Sequence, residues 1–259
     1  MRIGNLEMRK RMRQIGEGMV ELLFPPQQQC PVCRQEDSYH GGLGKNCLRK
    51  IALVLPPICS KCGRPKRLAA AAKETCPQCN ENQYYFSEAR SVGVYEGALR
   101  EYLAELKYRY RPDLGKALGM LLVEWIKNHR PYQKINLIIP IPIHWQKLTA
   151  RGYNQAELLA NPLQEYLGIP LKCDIIVRNK ITLSQNALHK EERFANVHEA
   201  FRVVNTKPLA GKRILLIDDI FTTGATVSEA SRVLIRAGAL DVKVLTLAGG
   251  VLDSEWLIL

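Results

Sequence analysis

An α/β fold built on a doubly wound parallel sheet, preceded by a small cysteine-rich zinc ribbon, is what this 259-residue sequence predicts. Three observations carry the prediction. Seven of the eight cysteines fall between Cys30 and Cys79, six of them as Cys-x-x-Cys pairs. After Cys79, apolar strand-like runs alternate with stretches of helical periodicity, the pattern of βαβ units. Near the carboxyl end, the apolar run Ile214 to Ile217 leads into two carboxylates and a threonine-rich turn, Asp218-Asp219-Ile220-Phe221-Thr222-Thr223-Gly224-Ala225-Thr226. The expected organisation is a basic N-terminal helix over residues 1–27, a zinc-ribbon region over 28–86 and an α/β domain over 87–259.

At the amino end, Arg2 to Arg13 carries five basic residues, but Glu21 interrupts the apolar stretch Met19 to Phe24. That is an amphipathic helix rather than a secretory signal. The apolar runs are far shorter than a membrane span, so a soluble, cytoplasmic protein is expected. The charge balance, 37 Lys and Arg against 25 Asp and Glu, favours polyanionic partners.

The cysteines come next. Cys59 and Cys62 are followed, after thirteen residues, by Cys76 and Cys79. Two Cys-x-x-Cys turns aimed at one ion make a four-cysteine zinc site, whereas disulfides would require export. Cys30 and Cys33 are followed at the same spacing by Cys47, but Gly44 stands where a fourth cysteine belongs, and His40 is the nearest substitute ligand. Cys173 is expected to be a buried, inert thiol.

The α/β elements follow in order. Ala89 to Tyr95 reads as a strand, Gly97 to Tyr108 as a helix, and Leu114 to Lys127 as a helix bounded by Pro112 and Pro131. Ile135 to Ile139 reads as a buried strand halted by Pro140 and Pro142, then Asn154 to Leu167 as a helix and Asp174 to Val177 as a strand. The strand Ile214 to Ile217, the helix Ala225 to Ala237 and the strand Val242 to Ala248 complete the set.

A buried strand delivering Asp218 and Asp219 at its carboxyl end, followed by Thr222 to Thr226 opening a helix, describes a phosphosugar site. Backbone N–H groups and hydroxyls suit a phosphate, and Gly224 lets the backbone approach it. The carboxylates repel phosphate and accept from sugar hydroxyls. A capping role alone needs one acceptor, not two acids and three threonines. Two prolines after the Ile139 strand stiffen a segment whose Lys147 and Arg151, ahead of a helix start, suit a second anionic group. Arg178 to Phe201 is polar and is expected to lie between two core strands, either as a closing loop or as a solvated connection.

The Asp-Asp-Ile-Phe-Thr-Thr-Gly-Ala-Thr stretch resembles the binding motif for 5-phosphoribosyl-1-pyrophosphate (PRPP) of type I phosphoribosyltransferases. The resemblance implies that Asp218 and Asp219 are the catalytic-site carboxylates on the ribose hydroxyls, with Mg²⁺ accompanying PRPP. It implies that Thr222, Thr223, Gly224, Ala225 and Thr226 hold the 5-phosphate, that Lys147 and Arg151 serve the pyrophosphate, and that Gln185, Lys190 and Arg193 belong to a mobile loop. Leu23-Phe24-Pro25-Pro26, the cysteine ribbons, Leu106-Lys107-Tyr108, Ile139-Pro140-Ile141-Pro142, Arg151-Gly152-Tyr153-Asn154-Gln155, Gln185, Glu192-Arg193 and Asn196 add to the motif, and together their order is similar to that of the ComF family.

That resemblance implies a Mg-PRPP-binding protein acting in natural transformation, which handles imported single-stranded DNA with a ComFA-like helicase ATPase as partner. The alternative is an active transferase moving phosphoribose to a nitrogenous base in nucleotide salvage or related metabolism. The basic residues Lys66, Arg67, Arg109 and Arg111, the last two interleaved with Tyr108 and Tyr110, are the candidate nucleic-acid contacts.

Overall fold

The structure, a computed structural model, describes residues 29–39, 41–66, 74–129, 132, 134–180 and 190–250, with side chains for 190–193 excepted. Two short helices, α1 (Lys45–Arg49) and α2 (Pro77–Glu81), sit among the cysteines. The elements β1 (Glu88–Val94), α3 (Gly97–Tyr108), α4 (Asp113–Lys127), β2 (Leu137–Pro140), α5 (Trp145–Arg151) and α6 (Gln155–Leu167) follow. Then come β3 (Ile176–Arg178), α7 (Lys190–Val197), β4 (Phe201–Val203), β5 (Arg213–Phe221), α8 (Ala225–Arg236) and β6 (Asp241–Gly249).

Four strands form a wholly parallel sheet in the order β1-β6-β5-β2. Central strand β5 is buried at seven of its nine positions, as its unbroken apolar run requires of a strand covered on both faces. One face packs against α3, α4 and α6 together with Cys30, Leu43 and Cys47. The other packs against α8, Tyr84, Phe86 and Cys59, Cys62 and Cys76. The sheet is doubly wound, and the cysteine-rich segment contributes to both cores.

Helices α4 and α6 approach closely because glycines face the contact. A Cβ on Gly115 would lie 2.5 Å from Leu158 Cβ, and one on Gly119 would lie 2.7 Å from the Leu159 carbonyl. Asn154 caps α6, its Oδ1 accepting from Ala156 N at 3.1 Å, and Gly168 at φ +65° ends it.

The strand expected at Asp174 to Val177 is not part of the parallel sheet. It is β3, paired antiparallel with β4 as a separate hairpin. The segment expected between two core strands therefore connects hairpin strands; Gln185 lies outside the described residues, and Lys190 and Arg193 fall on α7. Among the described residues, no helix is long and apolar enough to cross a membrane. The basic N-terminal segment lies outside them.

Candidate active site and metal clusters

The strand expected to stop at Ile217 runs on to Phe221, because β6 continues beside it with Asp218 opposite Thr246 and Ile220 opposite Ala248. On the other side β2 ends at Pro140 opposite Ile217. Asp218 and Asp219 therefore stand just where β5 loses one neighbour, at the carboxyl edge of the sheet. Both are buried, at 8% and 4% exposure. Asp218 Oδ1 accepts from Asp219 N at 2.9 Å, and Asp219 Oδ2 lies 2.7 Å from Lys107 Nζ.

Burial and then the adjacent Asp219 charge push the Asp218 carboxyl up to about 8, against the opposing pull of Lys107 and Arg178. Burial works against the Lys107 ammonium too, but the Asp219 carboxylate outweighs it and holds this lysine above its ordinary value.

After Phe221 the chain turns into α8, whose N-cap Gly224 adopts φ +83°. Asp218, Thr222, Gly224 and Thr226 line one small cavity, with a helix N-terminus at its edge. Gly224 also answers a demand that the sequence does not show. Besides the left-handed backbone, a Cβ there would lie 2.7 Å from the Phe221 ring and 3.0 Å from the Tyr84 ring, so glycine is required by packing on the protein side. Thr223 is buried with Oγ1 accepting from Ala225 N at 3.4 Å. Its hydroxyl serves the helix start, and Thr222 and Thr226 line the cavity.

Lys107 and Arg178 act on these carboxylates, and Lys147 and Arg151 gather beside those two cations. Lys147 and Arg151 lie on α5, so the segment expected to lead into a helix is itself helical; His144 caps it with Nδ1 accepting from Gln146 N at 3.3 Å, and Gly152 at φ +80° ends it. Surrounding protein, and after it the positive charges of Arg178, Arg151 and Lys107, hold Lys147 below its ordinary pKa. Burial lowers the Arg178 pKa while the Asp218 charge opposes it. Lys147 thus sits among three other positive side chains, and this gathering of charge makes an electropositive recess suited to a polyanion.

Lys107 and Arg178 are the residues that sequence reasoning missed. The signal for Lys107 was Leu106-Lys107-Tyr108 beside Arg151-Gly152-Tyr153. Those two segments meet through Tyr153 Oη, which donates to the Leu106 carbonyl.

The Sγ atoms of Cys59, Cys62, Cys76 and Cys79 lie within 4.8 Å of one another, with Cys62 and Cys76 at 3.6 Å. Four thiol groups so gathered fit tetrahedral zinc. This cluster also touches the turn. Gln78, inside the Cys76–Cys79 pair, donates Nε2–H to the Thr223 carbonyl at 3.2 Å and accepts from Arg64 Nη1, while Tyr84 Oη donates to the same carbonyl at 2.7 Å. Cys30, Cys33 and Cys47 also gather, and the acid beside them is Glu36. His40 lies outside the described residues. Cys173 is exposed rather than buried, since it precedes the hairpin instead of a core strand.

The candidate nucleic-acid residues divide. Lys66 is buried, its Nζ 3.3 Å from the Glu74 carbonyl, and thus turned away from any surface ligand. Arg111 is engaged by Asp113, Glu105 and the Pro31 carbonyl. Arg67 lies outside the described residues. Arg109 is 76% exposed, and Tyr108 and Tyr110 are 72% and 71% exposed, with Arg151 over the Tyr108 ring at 5.9 Å.

Residues 19–80 match the double zinc ribbon domain family, and residues 153–252 match the phosphoribosyl transferase domain family. DNA utilization protein YhgH of Salmonella typhimurium is 30% identical over 219 residues, which cover 83% of this chain and 94% of that protein. Competence protein F of Haemophilus influenzae is 29% identical over 80% of this chain and 90% of its own length, and competence protein ComFC of Bacillus subtilis is 30% identical over 78% and 82%. The chain belongs to the ComF family. In this ComF protein the ribbon match spans both cysteine clusters, and the transferase match includes Arg178 and the whole Asp218–Thr226 stretch. It begins after Lys107, Lys147 and Arg151, which complete the recess from outside the matched region.

Proposed function

We propose that this ComF protein binds PRPP with Mg²⁺ and acts on single-stranded DNA taken up during transformation. The observation that carries the proposal is a pair of buried carboxylates next to a helix-opening turn, with Lys107 and Arg178 acting on Asp218 and with Lys147 and Arg151 beside those cations. The turn and the α8 N-terminus take the 5-phosphate through N–H groups and the hydroxyls of Thr222 and Thr226. Asp218 and Asp219 accept from the ribose hydroxyls, and Lys147, Arg151 and Arg178 receive the pyrophosphate. Lys107 holds the Asp219 charge before ligand arrives. Carboxylate oxygens suit a hard cation, and Mg²⁺ when bound neutralises pyrophosphate charge.

Calorimetry tests this directly. PRPP with Mg²⁺ should bind, and an Asp218→Asn, Asp219→Asn double variant should bind at least about tenfold more weakly, the scale of charge-assisted hydrogen bonds. Equal affinity in the double variant refutes the site.

The names of the competence and DNA-utilization relatives support the DNA role, and Tyr108, Arg109 and Tyr110 offer exposed rings beside a cation. A ComFA-like helicase ATPase is the partner this role implies. A second reading, transfer of phosphoribose to a nitrogenous base, is favoured by Tyr108, an exposed ring at the edge of the recess against Arg151. Pyrophosphate release from PRPP in the presence of individual nucleobases distinguishes the two, since turnover with one base supports the transferase and binding without turnover the first reading.

A further inference from the structure

The first cysteine cluster is one thiol short. Gly44 stands three residues before Cys47, where the second cluster has Cys76 three residues before Cys79. A Cβ built on Gly44 would lie 2.3 Å from both Cγ and Cδ of Glu36 and 2.4 Å from its Oε1. The Glu36 carboxylate thus occupies the volume that a side chain at position 44 would fill. Gly44 has φ −70° and ψ 160°, extended backbone open to any residue, so its missing Cβ is needed to make room for Glu36 and for no reason of conformation.

A carboxylate oxygen of Glu36 and the sulfurs of Cys30, Cys33 and Cys47 lie within 4.8 Å of one another. Two backbone donors fix the carboxylate's direction: Cys47 N reaches Oε1 at 3.2 Å and Asn46 N reaches Oε2 at 3.1 Å, while Cys33 Sγ sits 3.7 Å from Oε1. Oriented ligands with hydrogen-bonded second atoms are what zinc sites use.

We infer that Glu36 is the fourth ligand of the first ribbon, which makes that ribbon a zinc site of three thiolates and one carboxylate beside the four-thiolate site of the second. A carboxylate carries the same single charge as the thiolate it replaces, so the charge balance of the site is kept. Three soft thiolates still select zinc over magnesium or calcium. The oxygen donor is harder and shares its electrons with two N–H groups, so the first ion leaves before the second when a chelator is titrated in. A cap on the Asn46 and Cys47 amides alone would also use Glu36, but it would place no demand on metal content.

The test uses the full chain, purified under reducing, chelator-free conditions, with zinc counted by elemental analysis and Co²⁺ substituted to read thiolate-to-metal charge-transfer absorption. The wild type should hold two metals per chain. Glu36→Ala should weaken the first metal against a chelator by at least about tenfold, the lower end of what outer-shell partners cost, and leave the second unchanged. The double variant Glu36→Ala, Gly44→Cys should regain two tightly held metals, with charge-transfer absorption above the wild type because a thiolate replaces the carboxylate. Glu36→Ala retaining both metals at wild-type affinity overturns the assignment. So does a double variant left with one tight metal, or loss of the first metal in His40→Ala while Glu36→Ala is silent.

Discussion

Tyr84 Oη donates to the carbonyl of Thr223 at 2.7 Å, and the ring that carries this hydroxyl also closes the space beside Gly224. A residue just after the second zinc cluster therefore helps hold the turn proposed to bind the 5-phosphate. Gln78, within that cluster, donates to the same oxygen. A peptide whose C=O is held on the ribbon side has its orientation fixed, so the ribbon helps to define the turn.

Tyr84→Phe removes the hydroxyl and keeps the ring. The net worth of such a bond is about 1 kcal/mol, so PRPP affinity is expected to fall about three- to tenfold with the fold retained. Stripping zinc from Cys59, Cys62, Cys76 and Cys79 should cost more, because it frees Gln78 as well. Calorimetry on Tyr84→Phe and on chelated protein checks both; unchanged affinity after zinc removal would show that ribbon and turn are independent.

Lys107→Met leaves the Asp219 carboxylate buried without its cation. Their side chains are 16% and 6% exposed, so the loss should be on the order of 3 kcal/mol in unfolding free energy. Adding Asp219→Asn to the same chain should recover most of it while leaving PRPP binding impaired. Denaturant melts of the two variants check the order; equal stability in Lys107→Met and wild type would show that the pair contributes little.

Much of this site was legible beforehand, and the reasons are local. The run Ile214 to Ile217 could only be a strand buried on both faces, and Asp218 to Thr226 carried its chemistry in consecutive residues. The two Cys-x-x-Cys turns fixed the four-cysteine cluster by spacing. What escaped was set by tertiary contact. Nothing near Lys107 in sequence shows that the end of α3 meets the end of β5, and nothing near Lys66 shows that its ammonium turns inward to Glu74. Asp174 to Val177 has the β-branched character of a core strand, yet pairing with β4 draws it out of the sheet. Nor does the spacing of Glu36 from Gly44 show that its carboxylate fills the space beside position 44.

The pH dependence of binding follows from Asp218. Its folded-state pKa is raised to about 8, so below that pH the protein without ligand holds this group as a neutral acid. A raised carboxyl pKa contributes stability that is full below about 4, the ordinary carboxylate value, and is lost as pH rises toward 8. Accepting hydrogen bonds from ribose hydroxyls favours the ionised form, so PRPP affinity should increase as pH rises toward about 8 and level off above it, with a proton released on binding below that pH. Calorimetry in buffers of different ionisation enthalpy reads that proton. Asp218→Asn should remove both the slope and the release; a flat profile in the wild type would mean that Asp218 is already ionised in the free protein.

The final prediction concerns DNA. Among the described candidate contacts, Tyr108, Arg109 and Tyr110 are the exposed ones, since Lys66 is buried and Arg111 is held by Asp113 and Glu105. Arg151 lies over the Tyr108 ring, so this surface adjoins the recess proposed for PRPP instead of standing apart from it. Two consequences separate this arrangement from a charged but inert face. A labelled single-stranded oligonucleotide should bind with steep salt dependence, because phosphate contacts release counterions, and Tyr108→Ala with Tyr110→Ala should cost about 1–3 kcal/mol per stacked base. PRPP with Mg²⁺ should change oligonucleotide affinity, because a ligand drawing on Arg151 alters the cation beneath Tyr108. Fluorescence anisotropy with and without PRPP measures both. Absence of binding at low salt removes the DNA surface, whereas binding indifferent to PRPP keeps the surface and places it beyond the reach of the recess.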